Sequence, residues 1–236
     1  MLKHIIPYIN NKKQQFAQLP LFNLLKNNEF SAQDKLVSIL PVMSHFIMSF
    51  GDLNRYVLKY PSPKNQIEEA INVHAEEDQS HWKWFIHDLK LLEANYSTTF
   101  TDHLTRLWDN STSAVRNLTY VLTGLIYNSN AKQRLILIEV MEATGNVMFQ
   151  NLLPLSDQIK RQYDKELIFC GNIHLSNETG HTIGSDQKFF NDIIFNHHEV
   201  TEGKEKINAA FDAFSNFIIL LNKIASEQLT KLSSKS

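Results

Sequence analysis

Asn72-Val73-His74-Ala75-Glu76-Glu77-Asp78-Gln79-Ser80-His81-Trp82-Lys83-Trp84-Phe85 is the stretch on which the fold turns. Inside it, His74 is followed four residues on by Asp78 and then three further on by His81, and this spacing returns as His174, Glu178 and His181. Residues three and four apart share one face of an α-helix. Each triplet therefore predicts a helix with two imidazoles and a carboxylate on one side. Around the first triplet runs a seam of Ile67, Ile71, His74, Asp78, His81, Phe85, Asp88 and Leu92. A seam with such steps is a core-facing stripe, and the centre of this one is polar. Burying those groups is costly unless something compensates them, and a pair of metal ions suits the donor types.

Working outward, the chain reads as all-α. Glycine and proline are sparse, with 7 and 6 in 236 residues, and strand-type alternation is hard to find. Helices are expected over Asn11–Asn27, from a Ser31 N-cap to Tyr60, and from Pro63 or Lys64 to Ala94. Pro41 and Gly51 mark the second of these for a kink or split. Further helices are expected over Thr101–Asp109, Ser111–Tyr127, Ala131–Leu153 (ending at Pro154), Ser156–Phe169, Asn172–Thr182, Gln187–Asn196 and Thr201–Lys231. One domain is expected over residues 1–236, with a frayed tail at 232–236.

The net charge of −2 gives no long-range field for nucleic acid or an anionic membrane. The longest apolar run, Phe217 to Leu221, is too short to cross a bilayer, and the N-terminus lacks a secretory layout. A lone Cys170 excludes an internal disulfide and a cysteine-ligated cluster, which suits a cytoplasmic location. No membrane or nucleic-acid partner is expected; a small-molecule substrate is, and a homodimer is the commonest assembly for such a bundle.

A second polar interruption lies on the helix of Leu135, Ile138, Glu142, Gly145 and Phe149, where Glu142 occupies the seam and Glu139 competes with it. Gly145 leaves space beside that carboxylate. The segment from Gly171 to Gly184 is a poor helix former, because each glycine costs up to about 1 kcal/mol relative to alanine; bound metal is the expected compensation. Acid-x-x-His on two helices with a Glu from a third is the spacing of carboxylate-bridged dimetal bundles. A single triplet has a bland explanation, since acidic runs such as Glu76-Glu77-Asp78 commonly form solvated faces; the second copy decides against it. His45, His87 and His103 read as core histidines with satisfied hydrogen bonds, and Trp82, Trp84 and Phe85 as packing. Tyr56, Tyr120 and Tyr127 fall on core helices as candidate cavity-lining residues.

The stretch from Asn72 to Phe85, Glu142 within IEVMEATG, and the His174/Glu178/His181 triplet together resemble the heme-oxygenase-like diiron oxidases. Their superfamily also holds TenA-type thiaminases, the pyrroloquinoline-quinone synthase and heme oxygenases. The resemblance implies a bundle of about seven core helices, with metal ligands drawn from three of them and the third ligand helix mobile. It implies ligation by Asp78 or Glu77, His81, Glu142, His174, Glu178 and His181. His74 departs from the pattern, standing where a Glu often lies, which lowers the negative charge of the site. The implied chemistry is dioxygen activation at two iron ions (or manganese, or a mixed pair) and oxidation of a small organic substrate, with dioxygen as co-substrate. Rival readings are a TenA-type hydrolase with Cys170 as nucleophile, a heme oxygenase using His45, and a ferritin-like bundle, for which the segment before Tyr60 offers Glu29 and Asp52 but no well-placed interior Glu. A helical protein with a structural metal and no catalysis is the fourth.

Overall fold

The computed structural model describes residues 2–94, 99–181 and 193–234, with side chains at 2–4 and 178–181 left aside. Among the described residues there are ten α-helices and no strand. α1 (Leu2–Phe16) and α2 (Pro20–Lys26) replace the single early helix expected from the sequence. Pro20 at the first position of α2 is the reason for the break: it has no N–H to give the preceding turn, and its φ suits a helix start. The end of α2 is held from inside the protein. Lys35, buried on α3 (Ala32–Asp52), directs its ammonium at the carbonyls of Leu25 and Asn27, a favourable place for a cation at a helix C-terminus.

Ser31 caps α3 as expected, accepting the Asp34 N–H. Pro41 does not split this helix; the change comes after Gly51, where Leu53–Leu58 widens into a π-helix. Ala32–Leu58 is apolar enough to cross a membrane by length and composition, yet 61% of its most apolar window is buried against other helices.

The expected long helix to Ala94 is two helices, α4 (Gln66–Asp78) and α5 (Trp82–Leu91), bent at Gln79–His81. Asn65 caps α4 through the Ile67 and Glu68 amides. α6 (Phe100–Trp108) buries no residue, and α7 spans Ser113–Tyr127. α8 (Ala131–Tyr163) runs straight through Pro154, merging two helices expected separately. Pro154 and Gln150 both face solvent, so water can satisfy the carbonyl that the proline leaves without a partner. α9 is Asn172–His181 and α10 is His197–Ser233. The helix expected over Gln187–Asn196 lies partly outside the described residues, and 193–196 are not helical.

α10 is the packing hub, touching α1, α2, α3, α7 and α8. Phe46 of α3 meets Phe214 and Phe217 of α10 at ring-centroid distances of 5.8 and 5.6 Å. α4, α5 and α9 are laid against this body, with α4 and α9 both packed on α8. The polar interruptions in the seams of α4 and α8 therefore meet inside the protein.

Candidate metal centre

α4 turns His74, Ala75 and Asp78 toward α8, which turns Glu142 back toward them. His74 is 1% exposed, Asp78 3% and Glu142 6%. His74 Nε2 lies 3.2 Å from Asp78 Oδ2 and 3.7 Å from Glu142 Oε1. One donor atom from each of these three residues falls within 4.8 Å of the others. Two carboxylates and an imidazole so close together, away from water, form a donor set for a hard or borderline cation. The residues therefore fit a metal ion on their own chemistry.

His81 joins from the bend. Its Nδ1 is 3.7 Å from Asp78 Oδ1, so the two oxygens of Asp78 face different imidazoles. The break in the helix frees the ring to stack on Trp84 at 4.5 Å, with His174 edge-on at 4.7 Å. Space for the bend comes from α3. A Cβ at Gly51 would lie 2.9 Å from the Gln79 carbonyl oxygen and 3.0 Å from Trp82, closer than such atoms can pack. The absent side chain is what lets α3 approach the turn that carries His81.

α9 supplies His174, 2% exposed, whose Nδ1 is 2.8 Å from the Phe169 carbonyl oxygen. The turn before it contains Gly171, where a Cβ would sit 2.1 Å from the Leu167 carbonyl oxygen. Gly171 is thus a requirement of the turn rather than a weakness of the helix. Asp88 on α5 accepts hydrogen bonds from the Ile168 amide at 2.7 Å and the Cys170 amide at 2.8 Å.

Between these groups lies a cavity of about 80 Å³ lined by Asp78, His81, Glu142 and His174 on one side. Aromatic and aliphatic side chains, chiefly Phe46, Phe50, Met141, Phe149 and Phe214, close the other. Gly145 lines it too, and a Cβ there would make only ordinary contact with Phe149 at 3.5 Å. Behind the acids, Lys13 of α1 donates to Asn146 Oδ1 at 2.7 Å. Burial holds this ammonium below the usual lysine range, against the opposing pull of the Glu142 carboxylate.

Of the residues expected at the site, the structure brings together His74, Asp78, His81, Glu142 and His174. Glu77 and Glu139 are half-buried, and neither lines the cavity. Asp78 and Glu142 are the acids that face it. Glu178 and His181 belong to α9, but their side chains lie outside the described residues.

Other expectations need correction. Tyr56, Tyr120 and Tyr127 are surface residues, 72%, 60% and 78% exposed, not cavity-lining ones. His45 packs against Trp108 and Tyr120, and its buried Nδ1 finds no hydrogen-bond partner among the described residues. Burial, then the Arg116 charge, lowers its basicity. Trp82 and Trp84 touch the site instead of only packing beneath it. Asp88, Lys13 and Asn146 went unassigned in the sequence; of these, Asp88 alone carried a visible signal, as an acid in an apolar seam.

No family model and no curated protein matches the chain. Solved structures do match. One is a domain of unknown function with a heme oxygenase-like fold from Shewanella denitrificans OS217, at 12% identity and a TM-score of 0.59. The alignment covers 99% of this chain and 94% of that one. The chain has a heme-oxygenase-like fold. At this identity the likeness extends to architecture alone, so any function rests on the site.

Proposed function

We propose that the protein is a metal-dependent oxidase or oxygenase, with two iron ions (or manganese, or one of each) as cofactor and dioxygen as co-substrate for oxidising a small organic molecule. The observation that carries this reading is the buried cluster of His74, Asp78 and Glu142 on facing helices. When bound, the metal supplies electron transfer to dioxygen, for which none of these side chains is equipped.

The chain's own residues do the remaining work. His74, Asp78 and Glu142 would hold one cation, and His81 and His174 would extend the donor set across the cavity. Asp78 turns one oxygen toward His74 and the other toward His81, so this carboxylate would contribute to the donor set beside both imidazoles. Glu178 and His181 complete the second half of the set by the repeated spacing. Phe46, Phe50, Phe149 and Phe214 keep water from the reacting face and leave room for a small apolar group. A reducing cytoplasm suits both a ferrous cofactor and the unpaired Cys170.

The TenA-type alternative needs Cys170 as a nucleophile. That thiol is 1% exposed and does not line the cavity, and burial followed by the Asp88 carboxylate pushes its pKa well above the ordinary range. A nucleophilic cysteine requires the opposite environment.

The test is anaerobic loading with Fe(II), elemental analysis, and measurement of dioxygen uptake on exposure to air. Two irons per chain and a burst of uptake that disappears in Asp78→Ala are the expected results. Redox-silent zinc bound in its place, with no uptake after iron loading, would favour a structural metal and overturn the oxidase reading.

A further inference from the structure

Asp88 is fully buried, belongs to α5, and lies outside the donor cluster. Its Oδ2 accepts the Cys170 N–H at 2.8 Å, and its Oδ1 accepts the Ile168 N–H at 2.7 Å. The His87 ring nitrogen, 3.2 Å from Oδ1, flanks it on the solvent side. The peptide that donates from Cys170 is the same peptide whose carbonyl belongs to Phe169. In a planar trans peptide the N–H and C=O point in opposite directions, and among the described residues no peptide bond is cis. A carboxylate gripping the N–H therefore aims the carbonyl the other way, where His174 Nδ1 lies 2.8 Å from it.

We propose that Asp88 is a positioning residue for His174, acting through the peptide plane between Phe169 and Cys170. The carboxylate fixes that plane and polarises it, the carbonyl accepts a hydrogen bond from His174 Nδ1–H, and the ring is left with Nε2 as its one lone-pair donor. Metal-binding histidines commonly hand their second nitrogen to a carboxylate or a carbonyl. Here a carboxylate and a carbonyl are joined in series, so the negative charge acts from one peptide away. Because Asp88 shares α5 with the His81 end of the bend, the same helix that seats one imidazole orients another. The role of Nε2 as a ligand rests on the oxidase reading above; the choice of tautomer does not.

Long-range ¹H–¹⁵N spectra of the metal-free full chain, at a pH where the imidazoles are neutral, read the tautomer directly. His174→Gln identifies the signal. The wild type is expected to show a protonated Nδ1 and an unprotonated Nε2. Asp88→Asn offers one acceptor and sets an amide donor against the other backbone N–H. It is expected to give a mixture of tautomers and, by loss of an outer-shell partner, about 10–100-fold weaker Fe(II) binding. Cys170→Ala keeps the amide and removes the thiol, so it is expected to retain the Nδ1–H form.

A wild type protonated on Nε2 overturns the proposal without any variant, and so it remains open to refutation even if Asp88→Asn fails to fold. A folded Asp88→Asn that keeps the pure Nδ1–H form overturns it equally. Failure of the wild type to take up metal would instead overturn the oxidase reading and leave the tautomer result standing.

Discussion

On α4 and α8, His74, Asp78 and Glu142 project from facing helices into a core packed on several sides, with His74 Nε2 3.2 Å from Asp78 and 3.7 Å from Glu142. On α9, His174 belongs to a ten-residue helix that contacts mainly α8, and its ring is held by a carbonyl in the preceding turn. The first arrangement depends on helices meeting at a fixed angle. The second depends on a chain of hydrogen bonds reaching from another helix. Rigid packing and local hydrogen bonding thus divide the candidate centre, and they should respond differently to the same insult.

The largest separation should come from removing donors. Asp78→Ala and Glu142→Ala are expected to weaken Fe(II) binding by more than about 100-fold, beyond the loss typical of an outer-shell change. Combining either with His174→Ala should add little, because groups that bind one centre are not additive. Titration calorimetry on the singles and the doubles checks this, and independent, additive losses would mean that α9 and α4 do not share a site.

Next in size is the effect of metal on α9 itself. Saturating metal, at about 100 times its dissociation constant, adds roughly 2.7 kcal/mol to whatever state binds it. Hydrogen exchange over residues 172–181 should slow strongly on metal addition, while the buried stretch of α8 around Glu142 changes less. Equal changes in both would erase the contrast.

Two glycines sharpen the comparison from the packing side. Gly51→Ala sets a methyl against the Gln79 carbonyl oxygen and should cost about 1–3 kcal/mol as an overpacked contact, with weaker metal binding because the bend moves. Gly145→Ala meets only Phe149 at an ordinary distance and should stabilise α8 by up to about 1 kcal/mol through helix propensity. Chemical denaturation of both variants reads the difference in sign.

The narrowest effect, confined to one titrating group, concerns the turn into α9. Cys170 keeps its proton in the folded state at a pH where an unfolded thiol, with a value near 8.5, has lost it. The unfolded chain then binds fewer protons, so stability contributed by this group is intact below that value and falls as pH rises beyond it. The slope approaches about 1.4 kcal/mol per pH unit. Unfolding curves from about pH 8 to about pH 10 should show it in the wild type, and Cys170→Ala should lose that share of the slope.

The all-α architecture and the facing seams were legible because helical periodicity and caps such as Ser31 act over short stretches of sequence. His74, Asp78 and Glu142 stood out for the same reason, as polar residues in otherwise apolar stripes. The bend at Gln79–His81 was not legible. Room for it comes from Gly51, far away in the chain, and nothing in the spacing of His74, Asp78 and His81 distinguishes a straight helix from a bent one. Pro154 misled in the opposite direction, since its effect depends on whether the carbonyl four residues earlier meets water. Asp88 showed its burial in the seam but not its purpose, because its partners are backbone amides that carry no sequence signature.

Gly51 contributes no donor atom to the centre, yet the seating of His81 depends on its having no side chain. A search for relatives of this site by its histidines and acids alone would pass over the position. It would accept chains with the full donor set and a larger residue on α3, in which the bend could not settle. The more discriminating query joins the triplet on α4 to a small residue on α3, and so looks for a vacancy as well as for ligands.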